Sequence, residues 1–196
     1  MTTLDKSYAY EELIMVHDGS KIQESALPSG YRLAENVLDY GSAWAELMFG
    51  HGMFFSLQEA REYWQKMESQ DPELLKIHFY FAVDETGQLA AACGLWPGNH
   101  LGSQRMRLHY VAAAEPHQKK GLARCLVSHA VYIGRQEQKE PLYLSTQAQS
   151  WPAIVLYRQL GFVPWTGKTD RKSAEQNRQA WKRARTLVWQ KEGMQI

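Results

Sequence analysis

Apolar and polar positions along the 196-residue chain follow two rhythms. Short apolar or alternating runs read as strands: Glu12–His17 before the turn Asp18-Gly19-Ser20, Arg105–Ala113, and Leu142–Thr146. Ile77–Val83, the turn Asp84-Glu85-Thr86-Gly87 and Leu89–Trp96 predict a β-hairpin, followed by a second turn region over Pro97–Gly102. Between them runs the helical period. Asp39–Phe49 repeats through Trp44, Leu47 and Met48, and Ser56-Leu57-Gln58-Glu59 is a capping box that starts a helix to about Glu68, closed by Asp71-Pro72. Gly121 to about Glu137 carries Leu122, Leu126 and Ile133 on one face, and Ser150–Gly161 reads as a capped helix ending at glycine. Near the C-terminus, Ala174, Asn177, Trp181, Ala184 and Val188 recur at steps of three and four, which predicts a helix from Ser173 to about Gln190; a strand over Arg185–Trp189 competes with it. The chain is therefore mixed α/β.

Length and composition narrow the class without naming a function. A chain of 196 residues fits one well-buried domain. A formal net charge of +1 gives no global attraction to nucleic acid or membrane. The exception is local, since Lys168–Lys191 holds eight Lys or Arg against Asp170 and Glu175; a solvated helix face is the simpler reading, and contact with nucleic acid or an acidic partner the other. Cys93 and Cys125 sit in apolar segments and form no C-x-x-C, which reads as packed, reduced thiols. The seven histidines form no H-E-x-x-H and no Cys/His cluster, so no metal is expected. No stretch has the apolar length of a bilayer span, and the N-terminus lacks a signal-peptide core, so a cytoplasmic protein is expected.

Candidate chemistry concentrates where the strand Arg105–Ala113 turns through a basic loop into the helix at Gly121. The residues Gln118-Lys119-Lys120-Gly121-Leu122-Ala123 place glycine where the first helical N–H groups have no carbonyl partner and where the helix dipole concentrates positive charge. Without a Cβ at Gly121 a phosphate can approach the backbone. On their own, these residues fit a phosphate cradle and a solvated turn equally.

Context separates the two. Gln118–Ala123 resembles the acyl-CoA-binding motif Q/R-x-x-G-x-G/A of the GNAT superfamily of N-acetyltransferases, and Ser150–Phe162 resembles its N-x-x-A-x-x-L-Y-x-x-x-G-F segment, with Ser150 where asparagine is usual. Ser29–Ala34 resembles the opening strand of that fold. The resemblance covers roughly residues 29–166 and is closest to uncharacterised bacterial members, some related to mycothiol synthase. It implies one α/β domain with a mostly antiparallel central sheet flanked by helices, its central strands splayed into an acyl-CoA cleft. Residues 1–28 would be an N-terminal extension, an edge strand or substrate-side arm, and 167–196 a basic helical segment.

The resemblance also implies roles. Acetyl-CoA would be the co-substrate, its diphosphate held by Gln118, Lys119, Lys120, Gly121, Leu122 and Ala123, with Ser150 in the second motif. Val111, Ala112 and Ala113 occupy the strand whose backbone binds the pantetheine arm and polarises the thioester carbonyl. Tyr157 matches the tyrosine that protonates the departing thiolate, a task suited to a phenol whose reference pKa is about 10. His109 stands where arylalkylamine N-acetyltransferases carry a histidine, which fits it as general base; Glu46, Glu59 and Glu115 are alternatives. Phe49, Met53, Phe54 and Phe55 flank the expected acceptor site, although core packing is the simpler reading of each. Cys125, lying in an apolar helix with no matched His and Asp, is a poor nucleophile. The expected reaction is direct attack of a small molecule's primary amine on acetyl-CoA in a ternary complex, with no membrane or nucleic-acid partner, and a homodimer by analogy with the fold. A protein amino-group acceptor, a non-catalytic acyl-CoA sensor and a nucleic-acid module built on the basic segment stay open.

Overall fold

A computed structural model describes residues 4–5, 7–139 and 141–192, with the backbone alone for 186–192. Its strands are β1 Glu12–His17, β2 Tyr31–Leu33, β3 Phe79–Asp84, β4 Leu89–Gly98, β5 Arg105–Ala113, β6 Tyr143–Gln147 and β7 Phe162–Pro164. Its helices are α1 Gly41–Gly50, α2 Leu57–Gln70, α3 Pro72–His78, α4 Leu122–Gln136, α5 Trp151–Gln159 and α6 Ala174–Glu192. The strands form a seven-stranded sheet in the order β2-β3-β4-β5-β6-β1-β7, and β1–β6, β1–β7, β2–β3 and β3–β4 pair antiparallel. The architecture is the expected mixed α/β one. The chain divides into two compact units, one of Gln23–Trp96 with Leu108–Tyr132, the other within Thr2–Ile22, Pro97–Arg107 and Ile133–Ile196.

The first unit is held by an aromatic core. Trp44 and Met48 of α1, Trp64 and Met67 of α2, Leu75 of α3, Phe79 and Phe81 of β3 and Tyr110 of β5 are all buried in one cluster. The spacing of Ala60, Trp64 and Met67 puts all three on the inner face of α2. Its start is capped as the sequence predicts: Ser56 Oγ accepts from Glu59 N at 3.1 Å, while Glu59 Oε2 accepts from Phe55 N at 2.8 Å. One expectation fails here. Ile77 and His78 belong to α3 rather than to the hairpin strand, because Asp71 Oδ1 accepts from Leu74 N at 2.9 Å and Pro72 occupies the first turn, a start signal that outweighs the apolar run behind it.

In the second unit β1 lies between β6 and β7, so it is an interior strand and not an edge strand. Its centre, Leu13–Met15, is buried. The Ile14 carbonyl accepts from Trp165 N at 2.9 Å and from Trp181 Nε1 at 3.2 Å, which anchors α6 through the tryptophan of its buried stripe. Asn177, Ala180, Trp181 and Ala184 are buried along that stripe, while the side chain of Val188 lies outside the described residues. The three-residue β7 is too short to show a period in sequence.

The basic segment turns part of its charge onto β1. Arg183 makes two bonds to the Glu11 carboxylate, at 2.7 and 2.8 Å. Lys172 Nζ donates to Glu12 O at 2.7 Å and lies 3.6 Å from Glu11 Oε1. Arg171 reaches Glu12 at 3.6 Å, and Arg178 pairs with Glu175 at 2.7 Å.

Two outcomes follow from this packing. A Cβ on Gly41 would fall 2.6 Å from Trp64 Cδ1 and 2.9 Å from Cε2, against an indole fixed in the core. Gly41→Ala is therefore expected to cost about 1–3 kcal/mol by overpacking, outweighing a helix-propensity gain of at most about 1 kcal/mol. Gly50→Ala, with nothing within 4 Å, should be neutral or stabilising in the same denaturant titration. The second concerns Glu11, whose pKa is lowered chiefly by its hydrogen bonds from Arg183. A lowered folded pKa means stability present above the unfolded value and lost as pH falls through the folded one. Arg183→Ala should accordingly lower the melting temperature at pH 7, and the difference from wild type should close on acidification.

Candidate functional site

The site in the first unit is built on the end of β5. Along this strand Met106, Leu108 and Tyr110 are buried, and His109 between them is half-buried. At Tyr110 the alternation stops: its φ is +56°, a left-handed backbone rare for a bulky residue. Beyond it Val111, Ala112 and Ala113 are buried in succession. The same distortion brings the rings of His109 and Tyr110, neighbours that a regular strand would send to opposite faces, to a centroid distance of 3.5 Å.

After β5 the chain passes through a short turn, Glu115–His117, into the basic loop. Lys119 and Gly121 have φ of +61° and +86°, so the loop reverses twice before α4. Gly121 is exposed, and a Cβ added there meets nothing within 4 Å, leaving open space over the backbone. The amides of Leu122, Ala123 and Arg124 open the helix, where no preceding helical carbonyl can satisfy them. Leu122 itself is buried as the anchor of the turn. Exposed Lys119 and Lys120 add positive charge. An anion-binding turn has these components.

Three further side chains gather at this loop that sequence reading did not single out. Tyr31 of β2 lies with its hydroxyl 2.8 Å from His117 Nδ1 and accepts from Lys120 Nζ at 3.0 Å. His117 Nε2 stands 3.8 Å from Asp84 Oδ2. Because an ammonium only donates, the Tyr31 O–H is left to donate its hydrogen bond to Nδ1, which puts the ring N–H of His117 on Nε2, toward Asp84. The Asp84 carboxyl is held below the usual range, first by the Thr86 side-chain hydrogen bond and only last by His117. His117 immediately precedes the loop motif Gln118–Ala123, which was a usable signal; Tyr31 is 86 residues away and gave none.

A second set surrounds the Ala113 carbonyl. It accepts from Gln118 Nε2 at 3.2 Å and pairs with His51 Nε2 at 2.9 Å. A carbonyl cannot donate, so the His51 proton is on Nε2. Burial pushes the His51 pKa down, only partly offset by this bond, which keeps the ring neutral at pH 7. His51 ties the loop between α1 and α2 to the end of β5.

That loop corrects an expectation. Only Phe54 joins the core, packing on Trp44 and Tyr63 at 5.9 and 5.5 Å. Phe49 and Met53 are exposed, and Phe55 is 99% exposed, so core packing does not account for these three. The alternative bases are engaged or solvated: Glu46 lies 3.6 Å from Arg61, Glu59 caps α2, and Glu115 is exposed. Cys125 donates through Sγ to Ala26 O at 2.9 Å, and burial raises its pKa, which argues against a nucleophile.

Thus the first unit brings together His109, Val111, Ala112, Ala113, Gln118, Lys119, Lys120, Gly121, Leu122 and Ala123 on one strand, loop and helix start. Tyr157 and Ser150 belong to the second unit. The Tyr157 ring is buried on α5, edge-on to Phe162 at 6.0 Å. Ser150 precedes α5 but makes no side-chain cap, contrary to the expected cap. Its φ and ψ of −97° and 35° are not the extended values of a capping residue, and Pro152 removes one of the N–H groups it would serve. Among the described residues no group of His, Cys, Asp or Glu could hold a metal, and no helix is long and apolar enough to cross a membrane.

Comparison with known proteins bears on the fold and the family. No curated protein matches the chain in sequence. Among solved structures, a GCN5-related N-acetyltransferase from Sphaerobacter thermophilus superposes with a TM-score of 0.60 at 20% identity, over 82% of this chain and 51% of that one. A tandem GNAT protein from the clavulanic acid biosynthesis pathway gives 0.57 at 18% identity, over 79% and 50%. Glucosamine-6-phosphate N-acetyltransferase from Arabidopsis thaliana gives 0.51 at 13% identity, over 70% and 95%. These likenesses are of fold, and the chain spans about half the length of the first two. The acetyltransferase (GNAT) family model matches residues 43–162, well over half of the chain, from α1 through the basic loop to the start of β7, and the chain belongs to that family.

Proposed function

We propose that this protein transfers the acetyl group of acetyl-CoA to the primary amine of a small molecule by direct attack in a ternary complex. The observation that carries the reading is the double reversal at Lys119 and Gly121 before an open helix start, directly after a strand of small buried residues. The coenzyme fits these residues: the open backbone at Gly121 and two exposed lysines suit a diphosphate. It would supply an activated thioester.

Each residue then has a task. Gln118–Ala123 hold the diphosphate, and Val111–Ala113 offer backbone groups to the pantetheine arm and acetyl carbonyl. His109, beside the distorted strand position, takes the amine's proton. Tyr157, on the second motif, returns a proton to the departing sulfur. A small-molecule acceptor is supported by analogy with the Arabidopsis relative, which is named for an amino-sugar phosphate, and acetyl-CoA by the tandem GNAT protein, described as being without it. The relation to mycothiol synthase rests on motif likeness alone. The pairing of Arg171, Lys172, Arg178 and Arg183 with acids weighs against the basic segment as a nucleic-acid surface.

Calorimetric titration tests the reading. Wild type is expected to bind acetyl-CoA, and Gly121→Glu, which puts a charge in the cradle and a side chain at φ +86°, should weaken binding more than about tenfold while remaining folded. Unchanged affinity would move the cradle elsewhere. Tyr157→Phe should keep coenzyme binding but lower turnover about 10²–10⁴-fold in an amine panel followed by thiol release. Binding by wild type without turnover of any amine would make the chain a sensor.

A further inference from the structure

Lys120 is not a free surface lysine. Its ammonium donates to the Tyr31 oxygen at 3.0 Å and lies 5.7 Å from the centre of the Tyr31 ring. Tyr31 is in turn fixed from the other side, by the hydroxyl contact to His117 Nδ1 at 2.8 Å and by an edge-on ring contact at 5.6 Å. His117 faces Asp84 at 3.8 Å, and Asp84 is itself tied into the β3–β4 turn through Thr86 and Gln88. A chain of contacts thus runs from the hairpin through β2 to the residue just before Gly121.

An ammonium has three donors, and one bond to Tyr31 leaves two for a ligand. A lysine loses considerable rotamer freedom when it is immobilised by an anion. Holding it in advance removes that cost from binding. The groups facing Lys120 and Tyr31 in this cluster are His117 and Asp84, and the carboxylate is farther from Lys120 in the contact chain than the phenol is. Tyr31 therefore fixes the ammonium without neutralising it. Resting on the acetyl-CoA reading above, we infer that Tyr31 is a positioning residue that presents Lys120 to a phosphate group of the coenzyme. The shared chemistry is a phosphate oxygen, from either the diphosphate or the 3′-phosphate.

The test is a double-mutant cycle on coenzyme affinity, with Tyr31→Phe, Lys120→Gln and the two combined, measured calorimetrically with acetyl-CoA and with its analogue lacking the 3′-phosphate. Tyr31→Phe keeps the ring against His117 and removes only the hydroxyl. It should raise Kd about three- to tenfold with an unchanged melting temperature, Lys120→Gln should raise Kd by at least as much, and the double variant should be no weaker than Lys120→Gln alone. If the Tyr31→Phe loss persists with the analogue, the diphosphate is the partner; if it vanishes, the 3′-phosphate is. Unchanged or tighter binding by Tyr31→Phe, or losses that simply multiply in the double variant, would overturn the inference. Failure of wild type to bind acetyl-CoA would overturn the acetyl-CoA reading first, and this inference with it.

Discussion

A tyrosine held in left-handed backbone inside a strand is the constraint on which the first unit depends. A residue in such a conformation costs on the order of 1–3 kcal/mol. Tyr110 sustains φ +56° because its ring is caged: Trp44, Tyr63 and Phe79 lie at 4.9, 6.0 and 6.2 Å. Aromatic pairs contribute roughly 0.5–1.5 kcal/mol each beyond area burial, so three of them are enough to offset the strain. The helices α1 and α2 and strand β3 supply those rings. The core therefore acts on the site through one backbone angle.

What the angle changes is the far end of β5. Past Tyr110 the strand no longer alternates, its side chains shrink to Val111, Ala112 and Ala113, and its last carbonyl faces two side-chain donors, His51 and Gln118. One donor comes from the loop between α1 and α2, the other from the basic turn. The strand end is thus where helix pair and turn meet, and burial keeps His51 neutral there. Positive charge is concentrated one step further on, at Lys119, Lys120 and the start of α4.

Strong local signals made much of this legible in sequence. β1 and β5 have the residues their patterns predict, the Ser56 cap is where S-x-x-E places it, and the loop motif lies at a helix start. What sequence hid was set by tertiary contact. Ile77 and His78 read as strand until Asp71 and Pro72 start a helix over them; Phe55 looks like core and is solvent-facing; Ser150 looks like a cap but is itself the last residue of a short helical turn, Ala148–Ser150. The φ of Tyr110 has no local signal at all, since neither glycine nor asparagine marks it. Tyr31 and His117 meet across 86 residues, a pairing that no window along the chain contains.

The most direct test of the central claim is amide chemical-shift mapping of ¹⁵N-labelled protein during titration with acetyl-CoA. If β5 and the turn after it hold the coenzyme, the largest changes in the first unit will fall on Val111–Ala113 and Gln118–Ala123, with Tyr110 itself showing the small backbone coupling change of a residue already locked in place. Saturable shifts confined to other surfaces, or none, would contradict it.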